Sequence, residues 1–140
     1  MSSITLDGEA MRFDRKGRDD FDALWSRSAD QEVQLCAFDL LEIDGEDLRS
    51  LPLIDRKRRL RKLLRRPQRG LQYVEHFDGC GVKMFEHVCR LGLEGIVSKR
   101  IDLRYQAGRS KSWIKVKNTA HPSVLRVREA FEWKRRRGRA

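Results

Sequence analysis

Residues 33–43 constrain the fold of this chain more than any other segment. Apolar residues fill both alternating sets of positions, which are Val33, Leu35 and Ala37 on one side and Cys36, Phe38 and Leu40 on the other. A strand that is apolar on both faces is covered on both, so this run predicts a central strand of a sheet. Asp44-Gly45 follows at once and predicts a tight turn.

Further strands are predicted at 4–13, 71–77, 94–100 and 113–117, the first broken by a turn at Asp7-Gly8. Apolar residues spaced three and four apart predict helices at 20–28, 55–65 and 81–91. Their apolar faces contain Trp25 in the first helix, Leu60 in the second and Val82 in the third. Together these elements predict an α+β fold with mainly antiparallel sheets and about three helices.

The helix ends also carry signals. Asp55 and Asp78 are the expected N-caps of the second and third helices. The second helix presents a basic face, to which we assign Arg56 and Lys57 together with the arginines and lysine that follow them. Residues 123–137 have helical character but end in a basic tail at 134–137.

Charge is distributed unevenly over a chain whose net charge is +10. Residues 1–55 hold 14 acidic and 6 basic side chains, whereas 56–140 hold 25 basic and 7 acidic ones. This asymmetry favours a nucleic-acid or nucleotide partner, the alternative being a solvated ionic surface. Three cysteines without CxxC spacing argue for reduced thiols in a cytoplasmic protein and against zinc. We expect no membrane partner, because no apolar run approaches the ~20 residues of a span.

Two strings near the C-terminal end carry the residues best suited to chemistry. They are Glu94-Gly95-Ile96-Val97-Ser98-Lys99 and Ser112-Trp113-Ile114-Lys115-Val116-Lys117. Lys115 and Lys117 share one side of a strand because strand periodicity is two, and Val116 is expected to point into the core. One carboxylate and three lysines on a common surface suit a nucleoside triphosphate with a divalent metal. The alternative is an edge strand protected by lysines.

Four short motifs in order closely resemble the later nucleotidyl-transfer motifs of ATP-dependent DNA ligases. They are Leu6-Asp7-Gly8-Glu9, Phe38-Asp39-Leu40-Leu41, Glu94–Lys99 and Trp113–Lys117, and the resemblance covers roughly residues 4–122. The nearest likeness is to the ligase domain of bacterial non-homologous end-joining enzymes. The resemblance implies a partial, ATP-grasp-like nucleotidyltransferase domain with ATP and Mg²⁺ as cofactors and nicked or broken DNA as partner.

The resemblance also implies catalytic roles for three residues. Glu94 would assist the catalytic metal. Lys115 and Lys117 would contact the α-phosphate of ATP, and Lys117 would stabilise the charge that develops during adenylyl transfer.

Further ATP-binding roles are implied at four positions. Glu9 would bind both the nucleotide and the metal. Phe38 would stack on the adenine; the alternative is that Phe38 packs in the hydrophobic core, as phenylalanines more often do. Lys99 and Arg109 would be additional phosphate contacts.

One motif of the family is absent from these 140 residues. The family's reaction begins at the lysine of a Lys-x-Asp-Gly motif, which no part of the sequence contains, and Lys16 follows Glu9 and so cannot fill that role by order. We therefore expect a partial adenylation domain over 1–118, lacking its N-terminal lysine-motif region. A basic tail over 119–140 would mark the start of a linker to an OB-fold.

Two functions follow from this expectation. The first is a DNA ligase-type nucleotidyltransferase for DNA repair and recombination, inactive alone or completed by a complementary fragment that supplies the lysine motif. The second is a non-catalytic remnant bound to nucleic acid through the 56–66 helix and the basic tail.

Overall fold

The computed structural model of the chain describes residues 3–26 and 30–137. They fall into two compact units, the first formed by 1–76 with 101–109 and the second by 77–100 with 110–140. The first unit contains β1 (Ile4–Met11), α1 (Phe21–Trp25), a 3-10 turn (Asp30–Glu32), β2 (Gln34–Ile43), β3 (Glu46–Asp47), α2 (Leu53–Leu63) and β4 (Leu71–Tyr73). The second contains α3 (Gly81–Arg90), β5 (Gly95–Lys99), β6 (Trp113–Lys117) and α4 (Pro122–Arg137). The predicted α+β class is confirmed, with four α-helices in the described ranges instead of about three.

Strand β2 is the centre of the four-stranded sheet, as its doubly apolar sequence predicts. It pairs antiparallel with β1 and β3 and parallel with β4. The parallel partner β4 is only three residues long, so the strand predicted over 71–77 ends early at Tyr73. The turn between β2 and β3 places Asp44 at φ 48° and Gly45 at φ 86°, the left-handed pair that a two-residue hairpin turn requires.

The turn predicted at Asp7-Gly8 is wrong. Strand β1 runs through both residues without reversing, and its register against β2 shifts at two points, between Thr5 and Leu6 and between Asp7 and Gly8. Asp-Gly is a turn signal only where the chain is free to reverse; here a sheet partner on β2 holds it extended.

The core of the first unit lies between β2 and α2. Its fully buried members are Ala37, Leu40, Leu48 and Leu60. Helix α2 begins at Leu53 with Pro52 in the N-cap position, so the N-cap expected at Asp55 is wrong. The assignment of Arg56 and Lys57 to the basic face, opposite the apolar one, is also wrong, since both are buried at 1% and 6% exposure.

Three apolar side chains that spacing assigned to buried faces lie in solvent. Trp25 of α1 is 81% exposed, Val82 in the first turn of α3 is 68% exposed, and Val116 of β6 is 37% exposed. Val88 is the buried residue of α3, which packs against β5. Residue Cys80, not Asp78, occupies the N-cap position of α3, and its side chain makes no capping hydrogen bond.

Helix α4 extends the regular structure further than the sequence indicates. The basic run 134–137, predicted as a tail, falls within the backbone of this helix, and 138–140 lie outside the described residues. None of the helices in the described ranges is long and apolar enough to cross a membrane. The three cysteines are free thiols.

Candidate functional site

An ion pair between Glu94 and Lys117 closes one end of the β5–β6 pair. The Lys117 Nζ lies 3.3 Å from the Glu94 Oε1, and both side chains are about half exposed. Glu94 precedes β5 and Lys117 ends β6, where Gly95 is its register partner. Antiparallel pairing therefore brings the two residues together although they are far apart in sequence.

All three lysines of the two strings lie on one face of this pair. Across the strands, Lys117 is opposite Gly95, Lys115 is opposite Val97, and Lys99 is opposite Trp113. Residues directly opposite in an antiparallel ladder share a face, and alternate residues along each strand do so too. The common cationic surface predicted from the sequence is thus present in the second unit.

The three lysines of this face differ in how they are held. Lys99 lies over the Trp113 ring, with its Nζ 4.0 Å from the ring centroid, a cation–π contact. Lys117 is paired with Glu94, and Lys115 is exposed. Because a half-exposed ion pair is worth at most about 1 kcal/mol, Lys117 can exchange Glu94 for another anion at small cost.

Asn118 fixes the backbone beside Glu94, a role that no motif of the sequence predicts. Its side-chain Nδ2 donates to the Leu93 carbonyl at 3.0 Å, and its backbone N donates to the Glu94 carbonyl at 2.7 Å. Asn118 is 9% exposed, the one largely buried polar residue among those described in the second unit. The available signal was an asparagine directly after a strand, where its amide can bond to neighbouring backbone.

Close backbone approach is the second constraint on Glu94. Gly95 adopts φ 153°, and a Cβ atom built there would lie 2.1 Å from the Val116 carbonyl oxygen. Only glycine fits at this position, so the residue after Glu94 is set by the spacing between the strands.

In the first unit, Phe38 lies at a register shift of the kind that a β-bulge produces. Gly8 lies opposite Ala37. The preceding residue, Asp7, lies opposite Asp39. Phe38 therefore falls between two successive register pairs of β1 and β2, and its side chain is half-buried. Bulges redirect side chains and are frequent beside active sites.

Glycine is required on the strand facing this bulge. A Cβ atom at Gly8 would lie 2.8 Å from the Cys36 carbonyl oxygen. The Asp7-Gly8-Glu9 motif thus has a packing reason for its glycine: close approach of β1 to β2.

Two buried cations of α2 hold the Phe38-Asp39 dipeptide. Arg56 donates to both carboxylate oxygens of Asp39 at 2.8 Å. Lys57 donates from Nζ to the Phe38 carbonyl at 3.1 Å and to the Val74 carbonyl at 3.2 Å. Burial of these charges is tolerated because each is hydrogen-bonded. Neither role was predictable from helical spacing.

The remaining predicted site residues lie on the surface of the first unit. Glu9 is exposed on β1 opposite Cys36. Burial raises the pKa of the Cys36 thiol, and the charge of Glu9 adds to that effect. Arg109 is exposed beside Gly108, which has φ 78°. Glu9, Phe38 and Arg109 thus belong to one unit, and Glu94, Lys99, Lys115 and Lys117 belong to the other.

Glu94 is the carboxylate beside the lysines of β5–β6 that could bind a metal. In the described ranges no group of three or more His, Cys, Asp or Glu side chains is clustered as a metal site. Mg²⁺ commonly takes only one or two protein carboxylates and completes its shell with water and substrate phosphates. Glu94 therefore fits a metal that arrives with a nucleotide better than a metal held by protein ligands alone.

Comparison with known proteins gives a consistent result. The family model described as "ATP dependent DNA ligase domain" matches residues 1–117. The chain is 36% identical over 116 residues to a multifunctional non-homologous end joining protein LigD of Pseudomonas aeruginosa, covering 80% of this chain and 14% of that protein. It is 37% identical over 115 residues to the LigD of Mycolicibacterium smegmatis, covering 81% of this chain and 15% of that protein.

A solved structure shares the fold as well as the sequence. It is described as mycobacterial DNA ligase D complexed with ATP and MES, and it matches with a TM-score of 0.72 and 37% identity. The match covers 81% of this chain and 38% of that one. The chain therefore spans only about a seventh of the length of the curated relatives, given as 14% and 15%.

Proposed function

Because the chain belongs to the family of ATP-dependent DNA ligase domains, we propose that it contributes nucleotide-holding residues to ligase-type adenylyl transfer. The substrate would be ATP, and the acceptor would be the 5′-phosphate of a nicked or broken DNA. The observation that supports this most is the lysine face of β5–β6 with Glu94 at its end.

The chemistry consists of phosphoryl-group displacements. A lysine nitrogen attacks the α-phosphorus of ATP, the bond to the bridging oxygen breaks, and pyrophosphate leaves. A DNA 5′-phosphate oxygen then displaces the lysine, and a 3′-hydroxyl finally displaces AMP to seal the strand. Each displacement concentrates negative charge on phosphate oxygens, so fixed cations are the main protein contribution.

Lys115 and Lys117 are proposed to supply those cations. They project from a rigid strand on the same face, which positions two ammonium groups without the ordering cost of a loop. Release of Lys117 from Glu94 as phosphate binds would leave the carboxylate free for Mg²⁺. The metal would neutralise charge on the phosphates when bound, with Glu94 as its ligand and Glu9 as a further candidate.

For the base we propose Phe38, which the register shift in β2 sets apart from the regular ladder. Lys99 and Arg109 are proposed as additional phosphate contacts. The contact with the Trp113 ring holds the Lys99 ammonium in place, so Lys99 would act as a positive charge at a fixed position.

The attacking lysine is proposed to come from outside these 140 residues, because no Lys-x-Asp-Gly occurs within them. The segment that carries it would belong to the same polypeptide or to a second chain. In either case this chain binds the nucleotide and the added segment becomes adenylated.

Equilibrium binding of ATP with Mg²⁺ tests the proposal without requiring turnover. We expect Lys117→Ala to weaken binding about tenfold or more, because a charged hydrogen bond contributes about 1.5–3 kcal/mol. Lys111→Ala is the matched control, since Lys111 is an exposed lysine of the same unit outside the lysine face. Equal affinities for the two variants, or no ATP binding by the unsubstituted chain, would contradict the proposal.

A further inference from the structure

The cations of α2 and the turn after it divide into two sets by their partners. Three arginines on the helix are neutralised within the first unit. Arg58 pairs with Asp55 at 2.7 Å, and Arg59 donates to both Glu46 oxygens at 2.9 Å. Arg61 lies 3.6 Å from Glu75.

The second set consists of the four cations Lys62, Arg65, Arg66 and Arg69. All are exposed, and the segment 62–70 contains no acidic residue. Throughout the described part of the chain, no side chain forms an ion pair or hydrogen bond with any of them. Their charges are therefore available to an external anion.

The backbone that carries this set is anchored at both ends. The Leu64 N donates to the Leu60 carbonyl at 2.9 Å, which continues the helix by one residue. The Gly70 carbonyl accepts from the Leu35 N at 2.8 Å, and Gly70 adopts φ 75°. The Leu71 N donates to the Gln68 carbonyl at 3.3 Å, which closes a tight turn around Arg69 and Gly70. The set thus begins at Lys62 in the last turn of α2 and ends at Arg69, in a turn that Gly70 ties to the central strand.

Compensation of the helix dipole does not account for the whole set. Cations stabilise a helix C-terminus, but the effect is confined to the last turn. Helix α2 ends at Leu63, and Arg69 lies six residues beyond it. At least part of the set therefore has no role in the stability of the helix.

We propose that Lys62, Arg65, Arg66 and Arg69 form a surface that binds the phosphate backbone of duplex DNA. A duplex presents regularly spaced phosphates, and unpaired arginines and lysines on a segment anchored at both ends bind them by releasing condensed counterions. The inference rests on the DNA partner of the proposed function, but it needs neither ATP nor the adenylation residues.

The test measures affinity for a fluorescein-labelled nicked duplex against salt concentration, with neither ATP nor Mg²⁺ present. Two double variants remove equal charge from neighbouring positions: R65A/R66A from the unpaired set and R58A/R59A from the paired set. Affinity falls as salt rises, so the slope of log affinity against log salt is negative. We expect R65A/R66A to make this slope shallower by about 2, since each lost phosphate contact accounts for about 0.9. We expect R58A/R59A to make it shallower by less than half as much, because both arginines are neutralised in the free chain. Circular dichroism establishes that both variants are folded. If R65A/R66A does not fold, K62A/R69A replaces it, with the same expected change in slope.

Equal slopes for the two doubles would overturn the proposal, since net charge alone would then determine binding. The proposal would also be overturned if R65A/R66A weakened binding to phosphatidylglycerol vesicles as much as it weakened binding to the duplex, because the surface would then be a general polyanion site. Failure of ATP binding with the DNA result intact would contradict the adenylation role and leave this surface supported.

Discussion

The guanidinium of Arg56 binds the carboxylate of Asp39 through two bonds of 2.8 Å, with the side chains 1% and 0% exposed. This pair joins helix α2 to the central strand. Arg56 also donates to the Leu51 carbonyl at 2.5 Å and lies 5.7 Å from the centroid of the Tyr105 ring. Asp39 follows Phe38, so the pair fixes the chain next to the proposed base-stacking residue.

Loss of one partner of this pair should be severe. We predict that Arg56→Ala lowers the free energy of unfolding by about 3–5 kcal/mol, because it leaves a buried carboxylate uncompensated. Urea denaturation measures the change. Arg58→Ala is the control, since its exposed pair with Asp55 is worth about 0.5 kcal/mol or less. Similar losses for the two variants would contradict the importance of burial.

Replacement of both partners should be milder than removal of one. We predict that Asp39→Leu combined with Arg56→Met is more stable than Arg56→Ala alone, because apolar side chains of similar volume leave no buried charge. The same urea measurement decides this. A double variant that is less stable than the single one would indicate that the bonds of Arg56 to backbone carbonyls dominate.

Lys57 should affect recognition of the base more than of the phosphates. Its ammonium fixes the Phe38 carbonyl at 3.1 Å, so we predict that Lys57→Met weakens ATP binding several-fold without weakening the binding of tripolyphosphate. Competition binding with both ligands measures the difference.

A control variant that is also destabilised distinguishes the positioning of Phe38 by Lys57 from a general loss of stability. Leu60→Ala removes a fully buried side chain of the same helix, which packs with Ala37 and Leu40, and should cost about 2–5 kcal/mol. At a temperature where both variants are folded, Leu60→Ala should retain the affinity for ATP. Loss of ATP affinity in both variants would show that Lys57 acts only through stability.

Gly95 should be intolerant of any side chain. We predict that Gly95→Ala separates β5 from β6 and abolishes the Glu94–Lys117 pair, because the added Cβ would lie 2.1 Å from the Val116 carbonyl oxygen. Amide hydrogen exchange of residues 95–99 and 113–117 measures the pairing. Gly81→Ala is the control, since nothing lies within 4 Å of a Cβ there. Unchanged protection in Gly95→Ala would contradict the register.

The two tyrosines should titrate above their ordinary range in the folded chain. Burial, aided by Asp7, raises the pKa of Tyr105, and burial, aided by Glu75, raises the pKa of Tyr73. The folded state then holds these protons more tightly than the unfolded state. The resulting stability is complete below the unfolded pKa of about 10 and is lost as pH rises through the folded values.

Absorbance of tyrosinate near 295 nm, followed against pH, measures this shift because the sequence contains only these two tyrosines. We expect a midpoint above 10 for the native chain and near 10 in urea. A native midpoint at or below the urea value would contradict the burial of both rings.

The sequence predicted those features that depend on local pattern. The doubly apolar run predicted the central position of β2, and Asp44-Gly45 predicted its turn. Alternation along 113–117 predicted that Lys115 and Lys117 share a face, which the register confirms.

What the sequence did not reveal depends on partners distant along the chain. Helical spacing assigned Arg56 and Lys57 to the basic face of α2, but their partners, Asp39 and the Phe38 carbonyl, lie 17 and 19 residues away in the sequence. Spacing also identifies which side chains share a face without identifying what covers it, so Trp25 and Val82 were wrongly predicted to be buried.

The most direct test of the adenylation proposal follows labelled AMP. The chain is incubated with ATP radiolabelled at the α-phosphate, Mg²⁺ and a separate polypeptide segment that contains a Lys-x-Asp-Gly motif, and the products are separated on a denaturing gel. We predict label on the added segment only, lost in Lys117→Ala and retained in Lys111→Ala. Label on this chain without the added segment, or transfer that survives Lys117→Ala, would contradict the proposal.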